Sequence, residues 1–295
     1  MLYDPTAQSD IGRFLKWVGG KTQIIQKVIA KFPKQINNYH EIFLGGGSVL
    51  FALLSNINTG SITVSGKVYA YDYNNVLIHV YKNMQSDIGR LWERLQVHID
   101  AYNASQNVEE HYYICRQVYN NMTEEEKCGY DGSAFFILLN KTCFRGLYRE
   151  GPNGFNVPFG HYKNPTIATF EHLSSVSELI QNVEFFQADF EVSIGKVELA
   201  DFVYLDPPYA PEKKTSFVGY NRAIFDENTH IKLFNMCKVY KFSFLMSNSH
   251  VDLVINSFND TRSFHTDIIE AKRTINCKTP QAKTKEVLIS FNFII

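Results

Sequence analysis

The chain has 295 residues, of which 45% are hydrophobic and 20% charged, and its formal net charge is −1. These values fit a soluble globular protein built as one large α/β domain, or as one such domain with an insertion. They argue against a uniformly basic nucleic-acid-binding surface, but they leave room for a local basic face.

Membrane, secreted and zinc proteins are also disfavoured. No apolar run reaches the roughly eighteen residues that a membrane-spanning helix needs. The start, MLYDPTAQSD, lacks the basic residues and apolar run of a secretory signal. The five cysteines are odd in number and form no C-x-x-C pair, so we expect reduced thiols in an intracellular protein and no metal site. The sequence does not predict an oligomeric state.

The first motif, KWVGGKT at residues 16–22, ends like a phosphate-binding P-loop. A P-loop needs G-x-x-x-x-G-K-[ST] after a strand, but Leu15 stands where the first glycine belongs. An ATPase site is therefore disfavoured. Apolar residues at helical spacing in QIIQKVIAKF predict a helix that ends at Pro33 and carries Lys21 in its first turn. Alternatively the glycines only start this helix and Lys21 is solvated, which leaves Trp17 unexplained.

The next segments predict the opening of a nucleotide-type α/β fold. YHEIFLGGGSVLFALL is typical of a strand, a glycine turn and a helix, and KVYAYDYN is typical of a strand that ends at Asp72. The glycine cluster is not a full G-x-G-x-x-G, because Leu50 stands where the third glycine belongs. Asp72 could accept hydrogen bonds from ribose hydroxyls or merely cap a turn, and the sequence does not separate these two roles.

The pattern changes between residues 76 and 169. Helical periodicity leads into the turn-rich stretch FRGLYREGPNGFNVPFGHYKNP, which suggests a hairpin, and strand patterns resume afterwards. We therefore predict an α/β domain of residues 1–75 and 170–295, interrupted by a mostly helical insert of residues 76–169. Residues 141–164 carry four fixed cations and one anion, a local surplus of positive charge. Arg149 is a candidate for a bidentate contact to guanine, and Phe144 is either a wedge beside a flipped base or a core residue.

The motif YLDPPYAP, residues 204–211, carries the chemistry. A proline-rich turn alone would accept almost any residue around its prolines. In a functional site, Asp206 and the carbonyl of Pro207 offer two acceptors for an exocyclic amino group, Pro208 fixes the backbone, and Tyr209 offers a flat face to an aromatic base. Acceptors that draw the amine hydrogens toward a tetrahedral arrangement localise its lone pair, so that it can attack a positioned methyl donor directly.

The chain resembles the Dam-type DNA adenine-N6 methyltransferases (D12 class, alpha group). The resemblance covers nearly the whole chain and rests on a series of motifs in order: FLKWVGGKTQII, EIFLGGGSVLF, YAYDYN, FRGLYREGPNGFNVPFGHYKNP, QADF, YLDPPYAP and MSNS. It implies a Rossmann-like methyltransferase sheet that uses S-adenosylmethionine, and an insert that recognises double-stranded DNA.

The resemblance also implies roles for individual residues. The catalytic group is Asp206, Pro207, Pro208 and Tyr209. The cofactor would be bound by Trp17, Lys21, Glu41, Phe43, Gly45, Gly47, Asp72, Asp189, Phe190 and Asp206, with Lys21 at its methionine end, Asp72 at its ribose and Asp189 with Phe190 at its adenine. DNA would be contacted by Lys16, Phe144, Arg145, Leu147, Arg149, Pro158 and His161.

The resemblance further implies methylation within GATC, because Lys16, Leu147, Arg149 and Pro158 match the recognition residues of GATC-specific members. Arg145 and His161 depart from the best-known member, which has Asn and Arg there, so phosphate contacts and flanking-sequence preference can differ. A second basic stretch, AKRTINCKTPQAKTKE, either loops over the cleft or is solvated. The alternatives are an RNA amino-methyltransferase and a catalytically inactive DNA-binding homologue. A protein glutamine methyltransferase is disfavoured because it more usually has Asn in place of Asp206.

Overall fold

The computed structural model describes residues 12–211, 225–272 and 283–292. Its strands are β1 (Gln35–Ile36), β2 (Tyr39–Glu41), β3 (Thr63–Val64), β4 (Val68–Asp72), β5 (Glu150–Gly151), β6 (Gly154–Phe155), β7 (Val183–Gln187), β8 (Phe202–Leu205), β9 (Ser243–Ser249), β10 (Phe264–Lys272) and β11 (Lys283–Phe291). Its α-helices are α1 (Ile25–Ile29), α2 (Ser48–Asn58), α3 (Asn75–Ser86), α4 (Ile88–Ala104), α5 (Val108–Asn121), α6 (Glu124–Cys128), α7 (Tyr130–Thr142), α8 (Phe170–Leu179), α9 (Phe190–Ile194), α10 (Glu227–Tyr240) and α11 (Asp252–Ser257).

Seven strands form the central sheet in the order β10-β11-β9-β8-β2-β4-β7. The five from β9 to β7 are parallel, and β11 pairs antiparallel with both β9 and β10. All four residues of β8 are buried, as its unbroken apolar pattern requires of a strand covered on both faces. The order of the strands reverses between β2 and β8, which is the switch point where open α/β sheets bind ligands. The predicted Rossmann-like fold is confirmed.

Helices α3 to α6 pack around α7, and the five helices together are called the helical group. Ten of the thirteen α7 residues are buried, and α7 contacts α3, α4, α5 and α6. The hairpin of β5 and β6 follows α7, as the turn-rich stretch predicted. Because α3 packs against β4 and β7 as well as α4 and α7, it joins the sheet to the helical group. The limits of the insert remain a prediction.

The first helix is shorter than predicted. It begins at Ile25, so Lys21 lies in the turn before it and not in its first turn. The backbone N–H of Lys21 donates to Ser48 Oγ at 3.3 Å instead of joining a helix. Among residues 12–211, 225–272 and 283–292, no helix combines the length and apolar character that a bilayer crossing requires.

Candidate active site

The glycine loop after β2 is fastened to the end of β4. The N–H of Gly45 donates to Asp72 Oδ2 at 2.9 Å, and the N–H of Asn74 donates to Asp72 Oδ1 at 2.9 Å. Gly45 and Gly47 have φ of 50° and 70°, which favours glycine at both positions. Burial raises the pKa of Asp72. Asp72 therefore caps this turn through its carboxylate.

Trp17 packs against the same glycine loop. A Cβ on Gly45 would lie 2.8 Å from the indole ring, so this close approach requires glycine. The other side of Trp17 stacks on Tyr148 and Phe136, with ring centroids 6.0 and 6.3 Å away. Trp17 thus joins the glycine loop to the helical group.

Lys21 and Asp206 meet at the switch point, although 185 positions separate them in the chain. Lys21 Nζ lies 2.6 Å from Asp206 Oδ2, donates to the Gly19 carbonyl at 2.6 Å, and is 3% exposed. It also lies 4.7 Å from the centroid of the Tyr209 ring. Burial raises the pKa of Asp206 to about 6, although Lys21 opposes this and Glu286 adds to it. The structure therefore pairs Lys21 directly with the predicted catalytic carboxylate of Asp206, a contact that the sequence did not predict.

The loop after β8 is held by three side chains from two other elements, α10 and β9. His230 of α10 lies with Nε2 2.9 Å from the Pro208 carbonyl. The N–H of Ala210 donates to Asn248 Oδ1 at 3.1 Å, and Ser249 Oγ donates to the Ala210 carbonyl. Asn248 and Ser249 belong to the motif MSNS, for which the sequence predicted no role. No sequence signal pointed to His230.

Two further groups of this loop are the Pro207 carbonyl and the Tyr209 ring. Within the part of the chain that the structure describes, no group donates a hydrogen bond to the Pro207 carbonyl. The hydroxyl of Tyr209 donates to Glu286 Oε2 of β11 at 2.8 Å, which fixes the plane of the ring. The sequence did not single out Glu286. The loop thus offers the carboxylate of Asp206 and one backbone carbonyl beside a fixed aromatic face.

A cavity of about 360 Å³ lies beside the switch point. Asp189 and Phe190, which were predicted to lie at the adenine of the cofactor, line it together with Phe43, another predicted cofactor residue. Phe225 lines it as an additional residue. The rings of Phe43, Phe190 and Phe225 lie 5.8 to 6.2 Å apart. Asp189 also caps α9 by accepting from the N–H of Glu191 at 2.8 Å. The aromatic walls and a carboxylate suit a purine, and nothing in the sequence singled out Phe225.

Glu41 is more enclosed than the other predicted cofactor residues. Its side chain is 2% exposed and accepts a hydrogen bond from the Tyr39 hydroxyl at 2.7 Å. Burial raises its pKa to about 8. The contact of Glu41 with a cofactor remains a prediction.

The predicted DNA-contacting residues gather around η1 (Phe144–Gly146), a single 3-10 turn, and the hairpin. Phe144 is 42% exposed, which contradicts a core role. Its N–H donates to the Pro158 carbonyl at 2.8 Å, and Arg149 donates from Nε and Nη2 to Asn156. Arg145 has a φ of 58°. The backbone here is anchored while aromatic and basic side chains face outward.

The remaining residues of the predicted DNA face flank this group. Lys16 Nζ donates to the Lys141 carbonyl at 2.9 Å and lies 3.4 Å from the centroid of the Tyr162 ring. Leu147 is half-buried, and His161 is exposed with Nδ1 3.9 Å from a carboxylate oxygen of Glu109. Most of the second basic stretch, residues 273–282, lies outside the described residues, so its predicted loop over the cleft has no structural test.

Comparison with known proteins identifies the family. The model of the D12 class N6 adenine-specific DNA methyltransferases matches residues 17–275. The chain belongs to this family. It is 37% identical over 293 residues to the Type II methyltransferase M.MjaIII of Methanocaldococcus jannaschii, covering 93% of this chain and 96% of that protein. It is 31% identical to the Type II methyltransferase M1.LlaDCHI of Lactococcus lactis subsp. cremoris, and 27% identical to the DNA adenine methylase of Escherichia coli K12, covering 94% of both chains in each case.

As a D12-class methyltransferase, the chain is an S-adenosylmethionine-dependent enzyme that methylates N6 of adenine in DNA. The predicted family, enzyme class and methyl donor are confirmed, and the RNA-methylating and inactive alternatives are set aside.

Proposed function

We propose that this enzyme methylates adenine within GATC in double-stranded DNA, by flipping the adenine out of the helix and letting its amino group attack the methyl donor directly. The observation that carries the chemistry is the arrangement after β8. Asp206, ion-paired with Lys21 at 2.6 Å, stands beside the Pro207 carbonyl, which accepts no hydrogen bond from the described residues, and the Tyr209 ring, which Glu286 holds. This is a cage for a planar base bearing an amino group.

In the proposed reaction, Asp206 and the Pro207 carbonyl accept the two amino hydrogens while Tyr209 stacks on the adenine ring. Lone-pair density then localises on N6, which makes the amine a competent nucleophile. S-adenosylmethionine supplies the electrophilic methyl group when bound. Lys21 favours the ionised form of Asp206, and that carboxylate or water takes the proton released after methylation.

The residues of the switch point fit the methyl donor. The cavity lined by Phe43, Asp189 and Phe190 suits its adenine, and Asp72 at the end of β4 suits its ribose. Gly45 and Gly47 shape the loop between them, because Trp17 packs directly on Gly45 while Tyr81 and Phe51 lie against Gly47. We assign these residues, with Lys21 and Glu41, to cofactor binding.

We assign DNA recognition to the helical group and hairpin, residues 76–169. Arg149 is pre-oriented by Asn156, as a bidentate contact to a guanine edge demands, and exposed Phe144 suits a wedge in the space left by the flipped base. Lys16, Arg145, Leu147, Pro158 and His161 complete this face. Burial and the neighbouring cations Lys16 and Arg13 lower the pKa of Lys141 to about 8, a concentration of positive charge that suits phosphate.

Expression in cells that lack N6-methyladenine, followed by sequencing of the methylated DNA, tests this proposal. We expect methylated adenine in GATC, and no methylation with the Asp206→Ala variant. Methylation spread over other sequences would refute the GATC assignment without touching the chemistry. If the enzyme methylates single-stranded DNA but not the corresponding duplex, the assignment of double-stranded DNA as the substrate is refuted.

A further inference from the structure

One asparagine joins two segments. The first, residues 12–24, carries the predicted cofactor residues Trp17 and Lys21 and is called the cofactor segment. The second, residues 144–149, carries predicted DNA contacts and is called the recognition turn. Asn140 lies in the last turn of α7 and is 4% exposed. Its Oδ1 accepts from the N–H of Lys16 at 2.8 Å, and its Nδ2 donates to the Lys16 carbonyl at 2.7 Å. The same Nδ2 lies 3.3 Å from the Gly146 carbonyl. A single buried side chain therefore contacts both segments.

These bonds matter because residues 12–24 form neither a helix nor a strand. Backbone groups outside regular structure need other partners, and Asn140 serves both backbone groups of Lys16 as a neighbouring strand would. Asn140 is 124 residues away from Lys16 in the chain. The position of this segment thus depends on the end of α7.

The recognition turn presses against the same point. Gly146 has a φ of 63°, and a Cβ there would lie 2.1 Å from the Lys16 Cβ and 3.0 Å from the Lys16 carbonyl oxygen. In the chain, Lys16 is followed by Trp17, which packs on the glycine loop, and by Lys21, which reaches Asp206. A shift of the turn must therefore move Lys16, and with it the wall of the cofactor site.

We propose that Asn140 is a positioning residue that couples DNA binding at the recognition turn to methyl-donor binding at Trp17 and Lys21. DNA that orders the turn also orders the cofactor segment through Asn140, so each ligand raises the affinity for the other. The inference rests on the proposed roles of these two segments. Linkage requires the coupling to be reciprocal, with one factor describing both directions.

The chain offers a matched control. Asn120 of α5 makes the same pair of bonds to one residue, accepting from the Phe155 N–H at 2.9 Å and donating to the Phe155 carbonyl at 2.9 Å. This second clip joins α5 to the hairpin and does not reach residues 12–24. Asn120→Ala should weaken DNA binding while leaving the coupling factor unchanged.

The experiment measures the dissociation constant of sinefungin, a non-reactive analogue of the methyl donor, by calorimetry with and without a saturating duplex. The duplex contains a sequence that the wild type is shown to methylate, so failure of the GATC assignment does not affect the test. The ratio of the two constants is the coupling factor, for which about 5- to 150-fold is usual. We expect Asn140→Ala to bring it near one.

Asn140→Asp is a second variant, to be used if the alanine variant folds poorly. It keeps the acceptor for the Lys16 N–H and removes both donated bonds, so we expect it to lower the coupling factor as well. A wild-type factor near one would overturn the proposal. So would a folded Asn140 variant with the wild-type factor, or an Asn120→Ala variant with an equal loss. A merely structural role would lower the melting temperature and both affinities, but it would leave their ratio unchanged.

Discussion

The loop after β8, which we propose to be catalytic, and the turn around η1, which we propose to recognise DNA, are built in opposite ways. In the loop after β8, side chains are enclosed and held: Lys21 is 3% exposed and Asp206 18% exposed, and Glu286 fixes Tyr209. In the recognition turn the backbone is held, but Phe144 projects outward and is 42% exposed. A small amino group is best received by a fixed cage, because preorganised groups need no rearrangement during the reaction. An extended polymer needs side chains that reach it.

This contrast predicts that substitutions in the loop impair chemistry and substitutions in the turn impair selection of DNA. The sharpest case is Asp206→Ala, which removes one of the two proposed acceptors. We expect the single-turnover methylation rate to fall by about 10²- to 10⁴-fold. DNA affinity should stay near the wild-type value in a filter-binding assay.

Asp100→Ala is a suitable control, because Asp100 is an exposed residue of α4 that accepts only a surface hydrogen bond from Gln96 among the described residues. It should leave the rate unchanged. A loss of less than about tenfold for Asp206→Ala would mean that this carboxylate is dispensable, and the contrast between the two regions would fail.

Arg149→Ala tests the other region. A bidentate contact to one base contributes about 1–3 kcal/mol of discrimination, so we expect about 5- to 150-fold less preference at one base pair of the site. The rate on the cognate site at saturating DNA should change far less. Competition between duplexes that differ at one pair measures the effect.

Lys163→Ala separates base reading from phosphate contact, since Lys163 is an exposed cation beyond the hairpin. It should weaken binding to all duplexes alike and reduce the salt dependence. If Arg149→Ala behaved in the same uniform way, Arg149 would be a phosphate contact and not the reader of a base.

The sequence predicted those parts of the fold and site that local patterns encode. The glycine turn between β2 and α2 and the buried strand before Asp206 follow from glycine spacing and unbroken apolar runs, and both are confirmed. The pairing of Lys21 with Asp206 and the clip of Asn140 on Lys16 span 185 and 124 positions. Such contacts depend on which chain ends the sheet brings together, and nothing in the neighbouring residues specifies them.

The misplaced start of α1 has the same origin. Its apolar spacing is helical, but the backbone N–H of Lys21 is bonded to Ser48 of α2, and Gly19 has a φ of 81°. Tertiary contacts thus replace the first helical turn that periodicity alone predicted.

The electrostatics of the cage give the finest test. Burial raises the pKa of Asp206 to about 6, Lys21 lowers it, and Glu286 raises it. The ionised carboxylate is the form that accepts amino hydrogens, so the methylation rate should rise with pH and reach half its maximum near pH 6. Lys21→Met removes an attraction for the ionised form and should move that midpoint to higher pH. Glu286→Gln removes a repulsion, keeps an acceptor for Tyr209, and should move it to lower pH.

Single-turnover rates at saturating methyl donor and DNA measure both midpoints without interference from binding. Lys67→Met is the matched control, because Lys67 pairs with Glu184 on the surface at 2.7 Å, away from the cage. Its midpoint should equal that of the wild type. Opposite shifts for Lys21→Met and Glu286→Gln are the result expected for Asp206, because its pKa is lowered by Lys21 and raised by Glu286. Shifts of the same sign would assign the pH dependence to another group and leave the cage without its proposed acceptor.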